Sequence, residues 1–477
     1  MDLTEEIVLL TENIHWLTKD QAWYYRVLPE GKTNSHFLLF CEEGANQQTL
    51  SSELEILLGL PVKLSPLPAI QVARLLSKYY IKDNAAQGSI QLQINHHEDD
   101  FLVSLIGEAK NLKSSDIHIE SYENKCRVRI RIDGMMVERY LLKRDEYPAL
   151  INKVKILSNL DIAEKRLPQD GRINFKYHDQ QFDIRVSVLP TLHGEKVVLR
   201  LLNNDATEID LNTLGFSPFD LDNYLQGAKR PNGILLISGP TGSGKTTTLY
   251  ATLKLLNKET RNILTIEDPV EYTLEGINQV QLKDSIGLTF AAALRTFLRQ
   301  DPDVIMVGEI RDTETANMAI RAALTGHLVL STIHTNSAWG TVSRLIDMGI
   351  PPFLVASTLN TTAAQRLVRL LCPHCKEERA FDENMYPKQF KPYAKVNRHF
   401  VAHGCEQCYY TGYKGRKAVY EVIPIDQDLA FEIKNGNMYV QQFLIDRGIH
   451  TLAENAFNLF NDGKTTIEEI YPLLFNY

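Results

Sequence analysis

The amino-acid sequence predicts an α/β protein of several domains, built around a mostly parallel sheet covered by helices. Three observations predict this class. The chain has 477 residues, more than one ordinary hydrophobic core holds. From about residue 213, short apolar segments alternate with helical patterns, which is typical of a parallel sheet. Between about 101 and 202, alternating polar and apolar residues instead indicate antiparallel strands, and therefore a smaller α+β domain.

The first part of the chain, residues 1–95, mixes helical and short strand patterns with weak turn signals. We predict a small N-terminal domain there, with a boundary at the acidic, histidine-containing stretch Ile94–Asp100. Cys41 in this domain and Cys126 in the next are isolated, so we expect both to be small core residues.

The small α+β domain is predicted over residues 96–203. The segment SDIHIES alternates as a half-buried strand does. A hairpin with its turn at Asp133-Gly134 follows, and then a helix whose Leu150, Val154 and Leu157 share one face. A second hairpin and the strand EKVVLRLL complete the domain. Residues 204–212 read as a linker.

The central α/β core is predicted over residues 213–371. Its strands are GILLIS, NILTIE, VIMVGE and HLVLSTIH. Its helices are predicted near residues 245–257, 289–300, 313–325 and 337–348. A cysteine-containing module, residues 372–408, follows, and residues 409–477 are mixed and end in a helical pattern.

The segment GPTGSGKT follows the first of these strands and opens a helix, the context that the phosphate-binding motif G-x-x-x-x-G-K-[ST] requires. Backbone N–H groups of such a loop surround phosphate oxygens, and the helix N-terminus adds positive potential. We expect Lys245 to contact the β- and γ-phosphates of ATP, and the Thr246 hydroxyl to bind Mg²⁺. The predicted nucleotide-binding residues are Gly239, Pro240, Thr241, Gly242, Ser243, Gly244, Lys245, Thr246 and Thr247.

Acidic residues follow two other strands. Glu267 ends NILTIE, and Glu309 follows the apolar run VIMV after Gly308, where many nucleotide hydrolases carry an aspartate. Acids at the carboxyl ends of strands lie where open α/β sheets bind ligands. We therefore predict catalytic roles for both, the alternatives being a turn residue for Glu267 and a helix N-terminal acid beside Arg311 for Glu309.

Two histidines bracket the strand HLVLSTIH. His327 and His334 are separated by about 20 Å if the strand is extended, so both cannot reach one γ-phosphate. We favour His334 as a site residue, because it shares a sheet end with Glu309 and Lys245.

Several arginines lie in the predicted α+β domain. Arg127, Arg129 and Arg131 share one strand face, which by itself indicates a solvated face. Arg172 follows LPQDG, and Arg185 lies on the polar side of FDIRVSV. Arginines supplied by another domain or subunit would accelerate phosphoryl transfer at a site that lacks its own.

Two C-x₂-C pairs, Cys372 with Cys375 and Cys405 with Cys408, flank the segment 376–404. Four thiolates suit a tetrahedral, structural Zn²⁺, and the alternative, disulfides, is rare in the cytosol. His374 and His403 lie nearby but are not needed as ligands. We predict a Cys₄ zinc site.

The composition restricts the remaining choices. Hydrophobic residues make up 44% and charged residues 23%, as in soluble globular proteins. No apolar run approaches the ~18 residues of a membrane span, and the acidic start MDLTEEIVLL is unlike a secretory signal. A net charge of -8 gives no attraction to nucleic acid, and we expect no nucleic-acid partner. The expected compartment is the cytoplasm.

Over about residues 100–425 the sequence resembles the ATPases of type II secretion and type IV pilus assembly. The motifs that carry the resemblance appear in one order: SDIHIE, RIDG, LPQDGR, RVSVLPT, GPTGSGKTTTLY, TIEDPVEY, LRQDPDVIMVGEIRD, TGHLVLSTIHTN and the four cysteines. The resemblance implies a hexamer of RecA-like domains, each preceded by a small α+β (PAS-like) domain. It also implies a location at the cytoplasmic face of the inner membrane, where the hexamer drives assembly of pilin-like subunits through platform proteins.

The resemblance assigns roles to residues as well. Glu309 matches an atypical Walker B glutamate, TIEDPVEY with Glu267 an aspartate box, and His334 a histidine box. Arg172 and Arg185 match arginines presented to nucleotide. The Cys₄ module favours an assembly ATPase over a retraction ATPase.

From these implications we expect an ATPase motor for type II secretion that is peripheral to the membrane and docks on its partners through residues 1–95. Extension of type IV pili is the alternative, since the short N-terminal region favours secretion only modestly. Less favoured are a nucleic-acid translocase and a nucleotide-gated scaffold that turns over little ATP. The division of the Mg²⁺ and water roles between Glu309 and Glu267 stays open.

Overall fold

The structure is a computed structural model of the chain. It describes residues 13, 16–33, 35–68, 71–72, 75–76, 79–80, 90–91, 101–177, 180–202, 210–382, 385–387, 390–396, 398–437 and 439–475. The boundary predicted at Ile94–Asp100 and most of the linker predicted at 204–212 lie outside these residues.

The N-terminal part forms a three-stranded sheet covered by helices. Its core contains Leu28, Leu39 and Leu54, and Cys41 is fully buried among them, as predicted. The elements are α1 Lys19–Tyr25, β1 Val27–Lys32, β2 Phe37–Glu42, α2 Gln47–Leu58 and β3 Val62–Leu67.

The next part is a seven-stranded sheet in the order β4-β7-β6-β5-β10-β9-β8. Every pair is antiparallel except β4 with β7, so both predicted hairpins are confirmed. Asp133 and Gly134 have positive φ at the first hairpin turn, a backbone shape that suits glycine. Helix α3 was not predicted. The elements are β4 Ile90–Gln91, α3 Phe101–Asn111, β5 Asp116–Ser121, β6 Cys126–Ile132, β7 Met135–Leu142, α4 Tyr147–Leu157, β8 Gln169–Tyr177, β9 Gln180–Thr191 and β10 Gly194–Leu201.

One face of this sheet carries an ion-pair cluster around Glu120, whose side chain is nearly buried. The Glu120 carboxylate pairs with Arg129 at 2.7 Å and with Arg127 at 3.0 Å. Lys196 adds a third cation at 3.2 Å. Burial by itself raises the pKa of a carboxyl group, but hydrogen bonds from these cations outweigh it and hold the pKa of Glu120 at about 2. Two further acids pair with the arginine face of β6: Glu138 lies 3.3 Å from Arg127, and Asp116 lies 3.4 Å from Arg131.

We expect Glu120→Gln to lower the free energy of unfolding at pH 7 by about 3 kcal/mol. The substitution removes a carboxylate whose ionised form is more stable in the native state than in the unfolded chain. A carboxylate with a depressed pKa stabilises the fold above its unfolded pKa of 4.5, and this stabilisation is lost as the pH falls toward 2. Urea unfolding at several pH values should therefore show the gap between wild type and variant narrowing below pH 5 or so. Glu123→Gln, at an exposed position in the turn between β5 and β6, is the control. A difference in the free energy of unfolding between wild type and variant that does not change with pH would contradict this prediction.

The third part is a seven-stranded sheet in the order β13-β12-β14-β15-β11-β16-β19. All its pairs are parallel except β16 with β19, which confirms the mostly parallel sheet. Strands β11, β12, β14 and β15 have no exposed residue, which is why they appear as apolar runs. The elements are α5 Pro218–Ala228, β11 Gly233–Ser238, α6 Lys245–Leu256, β12 Ile263–Glu267, β13 Asn278–Gln281, α7 Phe290–Phe297, β14 Val304–Val307, α8 Thr313–Leu324, β15 Leu328–Ile333, α9 Gly340–Asp347, α10 Pro352–Thr358, β16 Leu359–Leu371, β17 Lys376–Ala380, β18 Arg398–Ala402, β19 Tyr413–Pro424, α11 Gln427–Lys434, α12 Gln441–Asp446, α13 Leu452–Asn461 and α14 Ile467–Leu474.

The helix predicted from residue 337 begins later, at Gly340. The preceding residues form a turn in which Ser337 Oγ accepts a hydrogen bond from Gly340 N at 3.1 Å. The carboxylate of Glu421 accepts from Ala338 N at 2.8 Å. These side-chain oxygens accept the hydrogen bonds that carbonyl groups would accept in a helix, and the helix therefore begins only at Gly340.

In the part of the chain that the structure describes, no helix is long and apolar enough to span a membrane.

Candidate functional site

The phosphate loop, Gly239–Thr246, joins the end of β11 to the first turn of α6. Gly239 and Gly244 have positive φ, which favours glycine at both positions. A side chain on Gly239 would meet Gln365 O at 2.5 Å, and one on Gly244 would meet Gln365 Nε2 at 2.9 Å. The loop therefore lies directly against β16, and its glycines permit this close approach.

Lys245 and the hydroxyls beside it are arranged for an anion. Lys245 Nζ donates to Gly239 O at 2.8 Å and to Pro240 O at 3.0 Å. Burial lowers the pKa of Lys245, with a smaller opposing contribution from Glu309. The buried Ser243 Oγ has no hydrogen-bond partner within the described structure. A desolvated ammonium group and an unsatisfied hydroxyl in one glycine loop fit the phosphates of a nucleotide. Thr246 at the start of α6 is exposed, and its position in the motif makes its hydroxyl a candidate ligand of Mg²⁺.

Glu309 follows β14 at the same edge of the sheet. Its carboxylate contacts the Arg311 guanidinium and lies 3.4 Å from His334 Nε2. Gly308 lets the chain pass close to β12, since a Cβ there would meet Ile266 O at 3.3 Å. Because parallel strands end at one edge, Lys245, Glu309 and His334 come together as predicted.

His327 lies at the other end of β15, as expected. Its Nδ1 is 2.9 Å from Ala322 O at the end of α8, and it contributes nothing to the phosphate loop.

Glu267 is placed differently from the expectation of a water-handling role. It is 3% exposed, and its Oε1 accepts from Thr265 Oγ1 at 2.6 Å and from Gln279 Nε2 at 3.1 Å. The Tyr250 hydroxyl donates to its other oxygen. Burial, followed by this carboxylate, raises the pKa of Tyr250. Both oxygens of Glu267 are thus occupied inside the protein, which argues against a direct catalytic role.

Arg172 and Arg185 line a cleft of about 500 Å³ between the two seven-stranded sheets, together with Arg200 and Gln281. Arg185 donates to Val270 O at 2.8 Å and pairs with Glu271 at 3.3 Å, both in the segment after β12. Arg172 is exposed and forms no ion pair with any residue that the structure describes. In this conformation Arg185 contacts the segment after β12 and not the phosphate loop.

The four cysteines form one cluster. Cys372 Sγ lies 3.9 Å from Cys405 Sγ, and Cys408 Sγ lies 3.7 Å from both Cys375 and Cys405. Thiolates about 2.3 Å from a tetrahedral Zn²⁺ are about 3.8 Å apart, so the spacing fits zinc. The backbone N–H groups of Cys405 and Gly412 also approach Cys408 Sγ, at 3.1 and 3.3 Å, and compensate thiolate charge.

Sequence reasoning missed Gln365, Arg366 and Glu421, which contact the phosphate loop or the histidine loop, and Tyr420, which contacts Thr248 in the first turn of α6. The histidine loop is residues 334–339, which follow β15. For Gln365 and Arg366, the signal was a large polar pair between the apolar residues Ala364 and Leu367.

Residues 96–472 match the family model described as Type II/IV secretion system protein. The chain is similar to type II secretion system protein E of Pseudomonas aeruginosa, with 48% identity over 369 residues that cover 77% of this chain and 73% of that one. It is similar to the type IV pilus assembly ATPase PilB of Myxococcus xanthus, with 50% identity over 383 residues, 77% of this chain and 66% of PilB. With type II secretion system protein E of Aeromonas hydrophila it shares 39% identity over 91% of both chains.

Solved structures agree on the fold. The X-ray structure of the Legionella pneumophila ATPase DotB superimposes with a TM-score of 0.62 at 21% identity, covering 83% of this chain and all of DotB. The pilus retraction motor PilT with bound ADP gives a TM-score of 0.53 at 26% identity, covering 78% of this chain and 97% of PilT.

Proposed function

The chain belongs to the Type II/IV secretion system protein family, and from this premise we propose that it is an ATP-hydrolysing motor that drives assembly of pilin-like subunits for type II secretion. The observation that carries the proposal is the meeting of Lys245, Glu309 and His334 at one sheet edge. Extension of type IV pili is the second candidate, supported by the similarity to PilB. Type II secretion is favoured because the Aeromonas hydrophila alignment covers 91% of both chains, whereas the PilB alignment covers 66% of PilB.

In the proposed mechanism, Lys245 leaves the carbonyl groups that it now contacts and binds the β- and γ-phosphates of ATP. The Thr246 hydroxyl would hold Mg²⁺, and the ion would supply positive charge to the polyphosphate. Glu309 orients the attacking water, and His334 lies within reach of the same carboxylate. Glu267 holds the end of β12 through its buried hydrogen bonds and takes no part in the chemistry.

Arg172 and Arg185 stabilise the developing negative charge once the small domain moves toward a nucleotide site. Their present position in the cleft, with Arg185 held by Glu271, supports a role that depends on such a movement. Hydrolysis would reverse the movement and so produce the mechanical stroke.

The larger assembly belongs to the same proposal. We place six RecA-like cores (residues 213–371) in a ring, each preceded by a PAS-like small domain (residues 96–203) and followed by the zinc module (372–408) and the C-terminal region (409–477). Residues 1–95 would dock on platform proteins at the cytoplasmic face of the inner membrane. No nucleic acid takes part.

The purified full-length chain tests the proposal. We expect Mg²⁺-dependent ATP hydrolysis and, with a non-hydrolysable ATP analogue, a native mass of six chains. Addition of single- or double-stranded DNA should leave the rate unchanged; DNA-stimulated hydrolysis with steep salt dependence would identify a translocase instead. Nucleotide binding without turnover would identify a scaffold. Mixing the full-length chain with the inner-membrane platform proteins of a type II secretion system and, separately, of a type IV pilus system decides between the two candidate functions.

A further inference from the structure

Strands β16 and β19 place polar side chains on both faces of the central sheet, next to the ATP site. The strands pair antiparallel, with Gln365 opposite Tyr420 and Ala364 opposite Glu421. Successive side chains of a strand point to opposite faces. Gln365 and Tyr420 therefore share one face, and Arg366 and Glu421 share the other.

Gln365 and Tyr420 reach the phosphate loop and the first turn of α6. Gln365 Nε2 donates to Ser243 O at 2.8 Å, and its Oε1 accepts from Thr248 Oγ1 at 2.9 Å. The Thr248 hydroxyl also lies 3.0 Å from the Tyr420 hydroxyl. Gln365 is 2% exposed, so water cannot replace these bonds. One buried amide thus joins the loop to the helix that it opens.

Arg366 and Glu421 reach the histidine loop from the opposite face. Arg366 Nη2 donates to Asn336 O at 3.1 Å. Glu421 accepts from Ala338 N at 2.8 Å and from Leu452 N, at the start of α13, at 3.1 Å. The loop that carries His334 is therefore held at two backbone positions by one strand pair.

We propose that the β16–β19 pair positions the two halves of the ATP site: Gln365 and Tyr420 hold the phosphate loop for nucleotide binding, and Glu421 holds the histidine loop for turnover. The inference rests on the proposed hydrolysis of ATP at the phosphate loop, but the positioning can be measured without turnover. A merely structural role of these residues would lower stability without separating binding from turnover.

The first experiment concerns nucleotide binding. Gln365→Leu keeps the volume and removes the bond to Ser243 of the loop and the bond to Thr248 of α6, and we expect about tenfold weaker ADP binding. Tyr420→Phe removes one hydroxyl, with an expected loss of about threefold. Both should accelerate amide exchange over residues 239–248. The matched control is Tyr224→Phe: the Tyr224 hydroxyl is equally buried and bonds Thr252 of α6 at 2.7 Å. This control should lose comparable stability and bind ADP as wild type does.

The second experiment concerns turnover. Glu421→Leu removes the acceptor of Ala338 N, and we expect kcat to fall about tenfold while ADP affinity stays within about twofold. Amide exchange should increase over residues 334–340. Glu454→Leu is the control, since Glu454 accepts from Thr451 N at 2.7 Å at the start of the same helix α13 and has no bond to the histidine loop.

The outcomes separate the alternatives. Wild-type affinity and exchange in Gln365→Leu, or a kcat change in Glu421→Leu no larger than in Glu454→Leu, would overturn the proposal. Equal effects in each variant and its control would show a stability effect only and would also overturn it. If the wild-type chain hydrolyses no ATP, the proposed function fails, whereas the exchange and ADP-binding measurements still decide whether the strand pair positions the two loops.

Discussion

Replacing Glu309 with Gln is expected to lower kcat for ATP hydrolysis by about 10²–10³-fold and to leave nucleotide affinity within about twofold. Gln keeps the size of the side chain and its hydrogen-bonding capacity toward Arg311 and His334. It loses the negative charge that orients water in the proposed mechanism. In the same mechanism nucleotide binding depends on the phosphate loop and on Lys245, whose hydrogen bonds do not involve Glu309.

Steady-state hydrolysis at saturating ATP measures kcat, and the binding of a fluorescent ADP analogue measures the affinity separately. Glu314→Gln is the control. Glu314 lies in helix α8, which follows Glu309 in the chain, and its exposed side chain pairs with Arg295. It should hydrolyse ATP as wild type does. Hydrolysis at the wild-type rate by Glu309→Gln would remove Glu309 from the mechanism.

Loss of zinc on replacing cysteines of the predicted Cys₄ site is the second large effect that we expect. Cys372→Ser and Cys408→Ser should each reduce bound zinc from the expected one per chain to nearly none. Three thiolates hold zinc more weakly than four, and the fourth coordination position is then no longer filled by a cysteine. Zinc contributes about 10 kcal/mol or more to the folding of small metal-dependent modules, so residues 372–412 should lose their protection from amide exchange.

Metal analysis and hydrogen exchange of the full-length chain test this expectation. Cys126→Ser, at a buried position remote from the cluster, should retain the zinc. Full zinc content in both ligand variants would show that the four cysteines do not form the metal site. Absorbance in the visible range would reveal an iron–sulfur cluster in place of zinc.

The sequence was sufficient where the signal is local. Strands such as β14 are buried on both faces and appear as apolar runs, and Glu309 follows such a run with only Gly308 between. The turn at Asp133-Gly134 and the cysteine pairs are also short-range patterns. Parallel pairing then brings Lys245, Glu309 and His334 to one edge without further information.

The sequence was insufficient where partners come from distant segments. The sequence places Glu267 at a strand end but does not show that Tyr250 and Gln279, from two other elements, donate hydrogen bonds to its carboxylate. The alternating arginines of β6 suggest a solvated face, but the structure pairs Arg127 and Arg129 with Glu120 of the neighbouring strand β5. Gln365 meets the phosphate loop across 122 positions of the chain, a contact that no periodicity reveals.

The cysteine cluster also has a consequence for evolution. The segment 376–404 is flanked by Cys375 and Cys405, which belong to a cluster whose sulfur atoms all lie within 4.8 Å of one another, so its length is decoupled from the register of β16 and β19. Each doubling of a flexible loop costs only about 0.6 kcal/mol. Strands β17 and β18 pair within this segment, and Tyr386 and Phe390 are buried in the main core, so insertions should be nearly neutral for the ATP site only at exposed positions such as 391–395. At these exposed positions the segment could change in length and gain new surface while the ATP site stays unchanged.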